Sequence, residues 1–449
     1  MAIGVVVIGA QTAGLSAAAQ VRRKSPALPV TILDRGLFAG TPTCGLPWLL
    51  DGPRNASALA RSPEALAEKY RFDIRLGLEA VGVEMARREV RCRRPDGREE
   101  AIPYLRLVIA SGARSWVPPQ VATGPRDRIF TLREAGDAAA LGECLTARKP
   151  GSVAVLGAGL LGLEMVDVLR RRGLSVLLVE QAGQVLPGLA APLAEQLAGL
   201  LAGEGVEVRL GTTVRAVRPG SGGLVLDLSD GTEVPAELLL CATGIRPNTE
   251  VFRELPLRFT PNGHLEVNHR METGLDGIYA AGDCAAVPHL LHGRPMPGHS
   301  AVTAALTGRV AGENAAGFHA ETPGILGAWS LKVFAAEAAA VGLTAAEAAA
   351  AGWPAVNIEV TVPTRPAYLS GPGPMRLSGT FRTDTGALLG CQVLGGEGAA
   401  SSIQPVAALL RQRTDPESIL QLEFPYTPPV GPLWHPLQQL ARVAQKLIR

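Results

Sequence analysis

The sequence has no closely spaced cysteines. Its six (Cys44, Cys92, Cys144, Cys241, Cys284 and Cys391) are scattered over 449 residues without CxxC or CxxH spacing. That argues against a zinc site and a disulfide framework, and for reduced thiols in a cytoplasmic setting. An excess of one charge is missing too. The 43 Lys and Arg against 41 Asp and Glu leave +2, no field to attract nucleic acid or an anionic membrane. No unbroken run of about 18 apolar residues appears, so no membrane span is expected. The Ala-rich stretch VFAAEAAAVGLTAAEAAAAGW breaks at Gly342 and reads as two short helical pieces. The apolar N-terminus lacks the positive region of a signal peptide, and Gly9 and Gly14 fall where a strand turns into a helix. What remains is a chain too long for one domain, with 47% apolar residues to fill its cores, suited to small-molecule partners.

Two stretches carry the order strand, glycine turn, helix, strand. In IGVVVIGAQTAGLSAAAQVRRKSPALPVTILDRG, Gly9 makes the tight turn, Gly14 lets the helix pack closely, and the helix N-terminus faces a pyrophosphate. Asp34, about 20 residues on, stands where a carboxylate bonds the ribose hydroxyls. Gln11 replaces the middle glycine of this fingerprint. The second copy, GSVAVLGAGLLGLEMVDVLRRRGLSVLLVE, has Gly157, Gly159 and Gly162 in full GxGxxG spacing and ends in Glu180. An acid there favours the free 2′-hydroxyl of NADH over the 2′-phosphate of NADPH. Two dinucleotide sites in one chain suggest a relay, commonly hydride from a nicotinamide to a flavin.

Three further segments end apolar strands in small-residue turns: LVIASGARSWVPP, LLLCATGIRPN and GIYAAGDCAAV. In motif and order, over essentially the whole chain, these features resemble the pyridine nucleotide–disulfide oxidoreductase flavoproteins. The resemblance implies an α/β fold with two Rossmann-like dinucleotide-binding domains and an α+β C-terminal dimerisation domain. The FAD domain would be discontinuous, residues 1–118 and 245–319, with the NAD(P)H domain inserted at 119–244 and the dimerisation domain at 320–449. The implied cofactor contacts are Gly9, Ala10, Gln11, Thr12, Ala13, Gly14, Asp34, Arg35, Ser111, Gly112, Gly282 and Asp283 for FAD. Gly157, Gly159, Gly162, Glu180 and Gly244 join them on the nicotinamide side. In relatives, the helix opened by GHSAVTAALTGR points its dipole at the O2 edge of the flavin.

Cys44 lies in TPTCGLPW, within a Gly/Pro-rich turn. From the residues alone it is open whether it packs, binds metal, forms half a disulfide or acts as a lone nucleophile. The glutathione- and lipoamide-reductase branch uses a Cys-x4-Cys pair, whose second position here is Leu49. TCGLPWLLDG looks instead like the single-cysteine branch, which contains coenzyme A-disulfide reductases, NADH oxidases and NADH peroxidases. A helix starting at Cys44, with Pro47 in its first turn, would favour the thiolate.

A lone thiol holds its oxidised state either as a mixed disulfide with a small thiol or as a sulfenic acid. Relatives of the second kind carry His in the first glycine loop, where this chain has Thr12, a poor general acid. The resemblance therefore favours reduction of coenzyme A disulfide or a related small disulfide or persulfide, with NADH oxidase or peroxidase as the alternative. It also implies that Tyr368 and Tyr426 reach the cysteine of the other subunit, making a homodimer with a shared active site. Ser16, Gln20 and Arg23 match the family's coenzyme A contacts. Gly40 and Thr43 stand where Ser and Asn are usual, and Trp434 replaces a basic residue. Thr43 and Lys69 are taken as the remaining substrate contacts, with Arg71 a second source of charge.

Overall fold

The computed structural model describes residues 3–52, 62–369 and 373–448. The chain divides into two compact units. The first comprises residues 1–116, 132–148 and 244–325, the second 117–131, 149–243 and 326–449.

The first unit is built on a parallel sheet in the order Asp73–Leu76, Val30–Asp34, Gly4–Ile8, Glu99–Ile109, with Ile278–Ala280 pairing the last of these. Val5, Val7, Ile32, Leu33, Leu107 and Ile109 are sealed inside it, as expected of strands covered on both faces. The hairpin Glu79–Glu84 and Glu89–Arg93 runs antiparallel off the long strand. The helix Thr12–Lys24 packs along the helix Ala301–Ala315. A Cβ at Gly308 or Gly312 would overlap the carbonyl oxygens of Ala13 and Ala17, so the two helices approach at a spacing only glycine permits. Arg22, Arg23 and Lys24 close the first helix at the end where its dipole favours cations.

The stretch Leu132–Arg148 was expected within the nicotinamide domain and packs instead in the first unit. Helix Ala135–Arg148 buries Ala135, Ala138, Leu141 and Leu145, and Arg133 ahead of it donates to the Ala113 carbonyl at 3.2 Å.

The second unit holds a five-stranded parallel sheet, ordered Glu207–Arg209, Ser175–Val179, Ser152–Leu156, Leu238–Cys241, Ile129–Phe130. It also holds a five-stranded antiparallel sheet formed by Trp329–Val333, Ala336–Gly342, Leu388–Gly395, Pro374–Arg382 and Ala355–Pro363. The α/β class expected from the sequence is borne out. The reading of the Ala-rich stretch needs correction in its first half: Ala336–Gly342 is an inner strand, and only Ala345–Ala350 is helical. That stretch pairs with a strand on each edge and is largely buried, and this tertiary setting overrides the helix propensity of alanine. Among the described residues no helix is long and apolar enough to cross a membrane.

Candidate active site

The first glycine loop turns where only glycine fits. Gly9 has φ +110°, and a Cβ on it would strike the Ala110 carbonyl. A Cβ on Gly14 would overlap the Gly9 carbonyl oxygen, so the helix enters tight against the turn. Its N-terminus has no side-chain cap, which leaves backbone N–H groups for an anionic ligand. Asp34 braces the turn: its carboxylate accepts from Ala10 N at 2.6 Å and Gly36 N at 2.7 Å. Burial raises its pKa, opposed by these two bonds. Lone pairs remain on the carboxylate for ribose hydroxyls.

The second loop repeats the design. Gly157 has φ +99°, a Cβ on Gly162 would overlap the Gly157 carbonyl, and the helix Leu160–Arg171 likewise has no side-chain cap. The Glu180 carboxylate accepts from Ala158 N at 2.7 Å and Ala182 N at 2.8 Å. Among the described residues, chain neighbours aside, nothing lies within 4 Å of a Cβ built on Gly159, so packing does not account for the glycine there. In the first loop that middle position is Gln11. Its amide donates to the Phe38 carbonyl and accepts from Thr41 N, both at 3.0 Å, tying the loop to the segment that leads to Cys44.

A cavity of about 480 Å³ opens beside the first loop. Of the residues expected to hold FAD, Gly9, Gln11, Thr12, Ala13, Asp34, Arg35, Ser111, Gly112, Gly282 and Asp283 line it. Ala10 and Gly14 stand behind it, one bonding Asp34 and the other packing the helix. Ser111 and Gly112 are clipped to Asn248, which accepts from Ser111 Oγ at 2.7 Å and donates to the Gly112 carbonyl at 2.9 Å. Gly244, with φ +107°, accepts from Trp116 N at 2.9 Å and so helps shape the strand end nearby. Thr41 is 5% exposed and lines the cavity, yet among the described residues its hydroxyl has no partner. A buried orphan hydroxyl, an uncapped helix and two carboxylates suit a large polar ligand with phosphates and a polyol, which is what FAD offers.

Cys44 and Thr43 line the same cavity. Cys44 sits in the single 3-10 turn Thr43–Gly45, which leads into the four-residue helix Leu46–Leu49, too short for a full helix dipole. It is the one exposed cysteine of the six. Burial pushes Cys92, Cys241 and Cys391 up to about 12 and raises Cys284 as well, so these remain inert thiols. Leu49 is buried.

The expected substrate residues divide. Ser16 donates to the Ala305 carbonyl at 2.7 Å. Gln20, 3% exposed, donates to Glu313 at 2.7 Å and accepts from Arg23 at 2.5 Å. The structure thus gives both to packing between the helices Thr12–Lys24 and Ala301–Ala315. Arg23 and Lys69, in contrast, come together with Arg22 and Arg71 around a second hollow of about 280 Å³. Tyr368 and Tyr426 are both exposed and meet: partial desolvation, then the hydrogen bond Tyr426 makes to Tyr368, raises the pKa of Tyr426.

Arg133, Thr41 and His299 are among the residues of the cavity wall that were not foreseen. Arg133 pairs with Asp283, and its segment had been placed in the other domain. Thr41 gave no signal beyond its nearness to Cys44. His299 directly precedes Ser300, the N-cap of the helix Ala301–Ala315, and is one of only seven histidines. Replacing Arg133 with alanine would leave the shielded Asp283 carboxylate without its counter-charge. Titration of apoprotein with FAD is expected to show affinity weakened by about 1.5–3 kcal/mol.

Residues 3–305 match the family described as pyridine nucleotide-disulphide oxidoreductase, and residues 329–436 match its dimerisation domain. The chain is 30% identical to an NADH oxidase of Methanocaldococcus jannaschii over 444 residues, covering 98% of each chain. It is 31% identical to a CoA-dependent NAD(P)H sulfur oxidoreductase of Pyrococcus abyssi over 98% of this chain and 97% of that one. The solved structure of an NAD-dependent persulfide reductase from A. fulgidus superposes with a TM-score of 0.95 at 28% identity, over 99% of this chain and 83% of that one. With both family segments matched and near full-length relatives at this identity, the chain belongs to the pyridine nucleotide-disulphide oxidoreductase family.

Proposed function

We propose that this protein is an FAD-dependent NAD(P)H oxidoreductase that reduces coenzyme A disulfide, or a related small disulfide or persulfide, through Cys44. The observation that carries this reading is the placement of the one exposed cysteine in the cavity formed by the first glycine loop. The relatives named for sulfur and persulfide reduction support it. Asp34, Asp283 and the N-terminus of Thr12–Lys24 would hold FAD, and Gly157, Gly159, Gly162 and Glu180 the nicotinamide nucleotide. Bound there, FAD would supply a hydride acceptor for NAD(P)H and an electron pair for sulfur.

The chain's own part is thiol exchange. The Cys44 thiolate attacks one sulfur of RSSR, the S–S bond breaks, and the first thiolate leaves as RSH after protonation. Two-electron reduction of the Cys44–S–S–R bond releases the second thiol and restores the thiolate. The balance is NAD(P)H, one proton and RSSR giving NAD(P)+ and two RSH. In a homodimer the exposed Tyr368–Tyr426 pair of one subunit supplies phenol protons to thiolates leaving Cys44 of the other.

The hollow lined by Arg22, Arg23, Lys69 and Arg71 suits the phosphates of coenzyme A. Converting Arg23 and Lys69 together to alanine is expected to raise KM for coenzyme A disulfide about a hundredfold with kcat unchanged. Pantetheine disulfide, which lacks the nucleotide phosphates, should be reduced as well as by the wild type. Equal losses on both substrates would place the phosphates elsewhere. The reading itself is tested by NADH-dependent release of free coenzyme A from its disulfide, assayed under anaerobic conditions.

A second reading, NADH oxidase or peroxidase through a Cys44 sulfenic acid, has one observation in its favour. His299 lines the cavity that holds Cys44 and supplies an imidazole that Thr12 does not. Oxygen or peroxide consumption exceeding disulfide turnover would favour it.

A further inference from the structure

The cavity wall carries a histidine, His299, that thiol exchange does not use. Nε2 of His299 lies 2.8 Å from Nε2 of His264, which is 3% exposed. Two ring nitrogens at that distance share one proton, one donating and the other accepting. On its far side, His264 Nδ1 lies 3.5 Å from Thr260 Oγ. That hydroxyl already accepts the backbone N–H of His264 at 3.1 Å, and its own proton is left to give. With the Thr260 hydroxyl assigned as the donor to Nδ1, His264 carries its own proton on Nε2. His299 accepts at Nε2, and a neutral His299 must carry its proton on Nδ1. No group among the described residues bonds that Nδ1.

The charges around the pair are Asp283 and Arg133 toward His299, and Asp283 and Arg246 toward His264. Burial pushes His264 down to about 4, helped by His299 and opposed by Asp283. Burial also lowers His299, again against Asp283. Both rings are therefore neutral near pH 7. Beside them, the Ser300 side chain takes the Thr303 N–H at 3.1 Å, which leaves the N–H groups of Ala301 and Val302 without helical partners. Ala301 lines the cavity with His299.

We propose that His264 is a positioning residue that fixes His299 as a neutral donor, so that His299 Nδ1–H and the helix N-terminus together face a ligand edge rich in acceptors. The pyrimidine edge of the flavin, with its carbonyl oxygens and N1, is that edge. The inference rests on the reading of this cavity as the FAD site. Donors placed there stabilise the electron density that reduction adds, and so make the flavin easier to reduce.

The test is the midpoint potential and visible spectrum of bound flavin in the holoenzyme. In His299→Phe the equilibrium constant for reduction by NADH is expected to fall about tenfold, and His299→Asn, which keeps a donor, should recover most of it. His264→Phe should shift the potential in the same direction although it lies a shell away. The double variant should be no lower than His299→Phe alone. A wild-type potential in His264→Phe, whatever its thermal stability, overturns the proposal, as do additive effects in the double variant or a purified protein that binds no FAD. If the potentials shift as expected while Cys44→Ser still turns over disulfides, the Cys44 reading falls and the histidine pair stands.

Discussion

Cys44→Ser is expected to cut disulfide reduction by at least about a thousandfold, because a serine hydroxyl neither exchanges with a disulfide nor stores an electron pair. Flavin bleaching by NADH should persist in the same variant, since nothing in the nicotinamide loop depends on position 44. No other thiol can substitute readily. Four of the remaining five are buried, and three of those are held up to about 12. Mass analysis of the Cys44 peptide from protein purified without reductant checks the chemistry directly. A coenzyme A adduct supports the mixed disulfide, and another small-thiol adduct keeps the mechanism while changing the substrate. Sulfenic or sulfinic oxygen in place of a thiol would move the assignment to the oxidase or peroxidase reading.

The second large effect concerns the other nucleotide. Gly162→Val would drive a branched side chain into the Gly157 carbonyl and toward Ala242, forcing the glycine turn open or the helix away from its strand. The helix N-terminus proposed to face the pyrophosphate would move with it. Reduction of the flavin by NADH should fall at least about a hundredfold, by the misplacement argument for bound reactants. FAD content should stay near wild type, because Gly9, Gly14, Asp34 and Asp283 belong to the other unit. Stopped-flow bleaching at saturating NADH, with FAD counted by absorbance, separates the outcomes. Loss of both cofactors together would show that the two loops do not act as separate sites.

Much of this was legible because its causes are local. A glycine turn, an uncapped helix and an acid at the next strand end are set by residues within one βαβ stretch, and both stretches folded as the pattern required. Cys44 stood out because it lacked a partner and sat in a recognisable turn, and it lines the cavity beside the first loop. What escaped depends on contacts distant in sequence. Arg133 meets Asp283 across 150 positions, and His264 meets His299 across 35, with nothing in either neighbourhood to announce the other. Ser16 and Gln20 show the reverse error: residue type matched a ligand contact, while the structure uses both to join helices. In Ala336–Gly342, helix propensity lost to strand pairing on both edges and to burial.

The departure at Gln11 has a mechanical consequence. A glycine there would leave the phosphate loop joined to the thiol segment by the backbone bond from Gly40 N to the Ala10 carbonyl at 2.8 Å. The glutamine staples one to the other through Phe38 and Thr41, three residues short of Cys44. Any force that a cofactor's phosphates exert on the loop is thereby delivered to the base of the turn carrying the thiol. Loading the cofactor and aiming the sulfur become one adjustment, and the chain gives up a permissive backbone position to make it so.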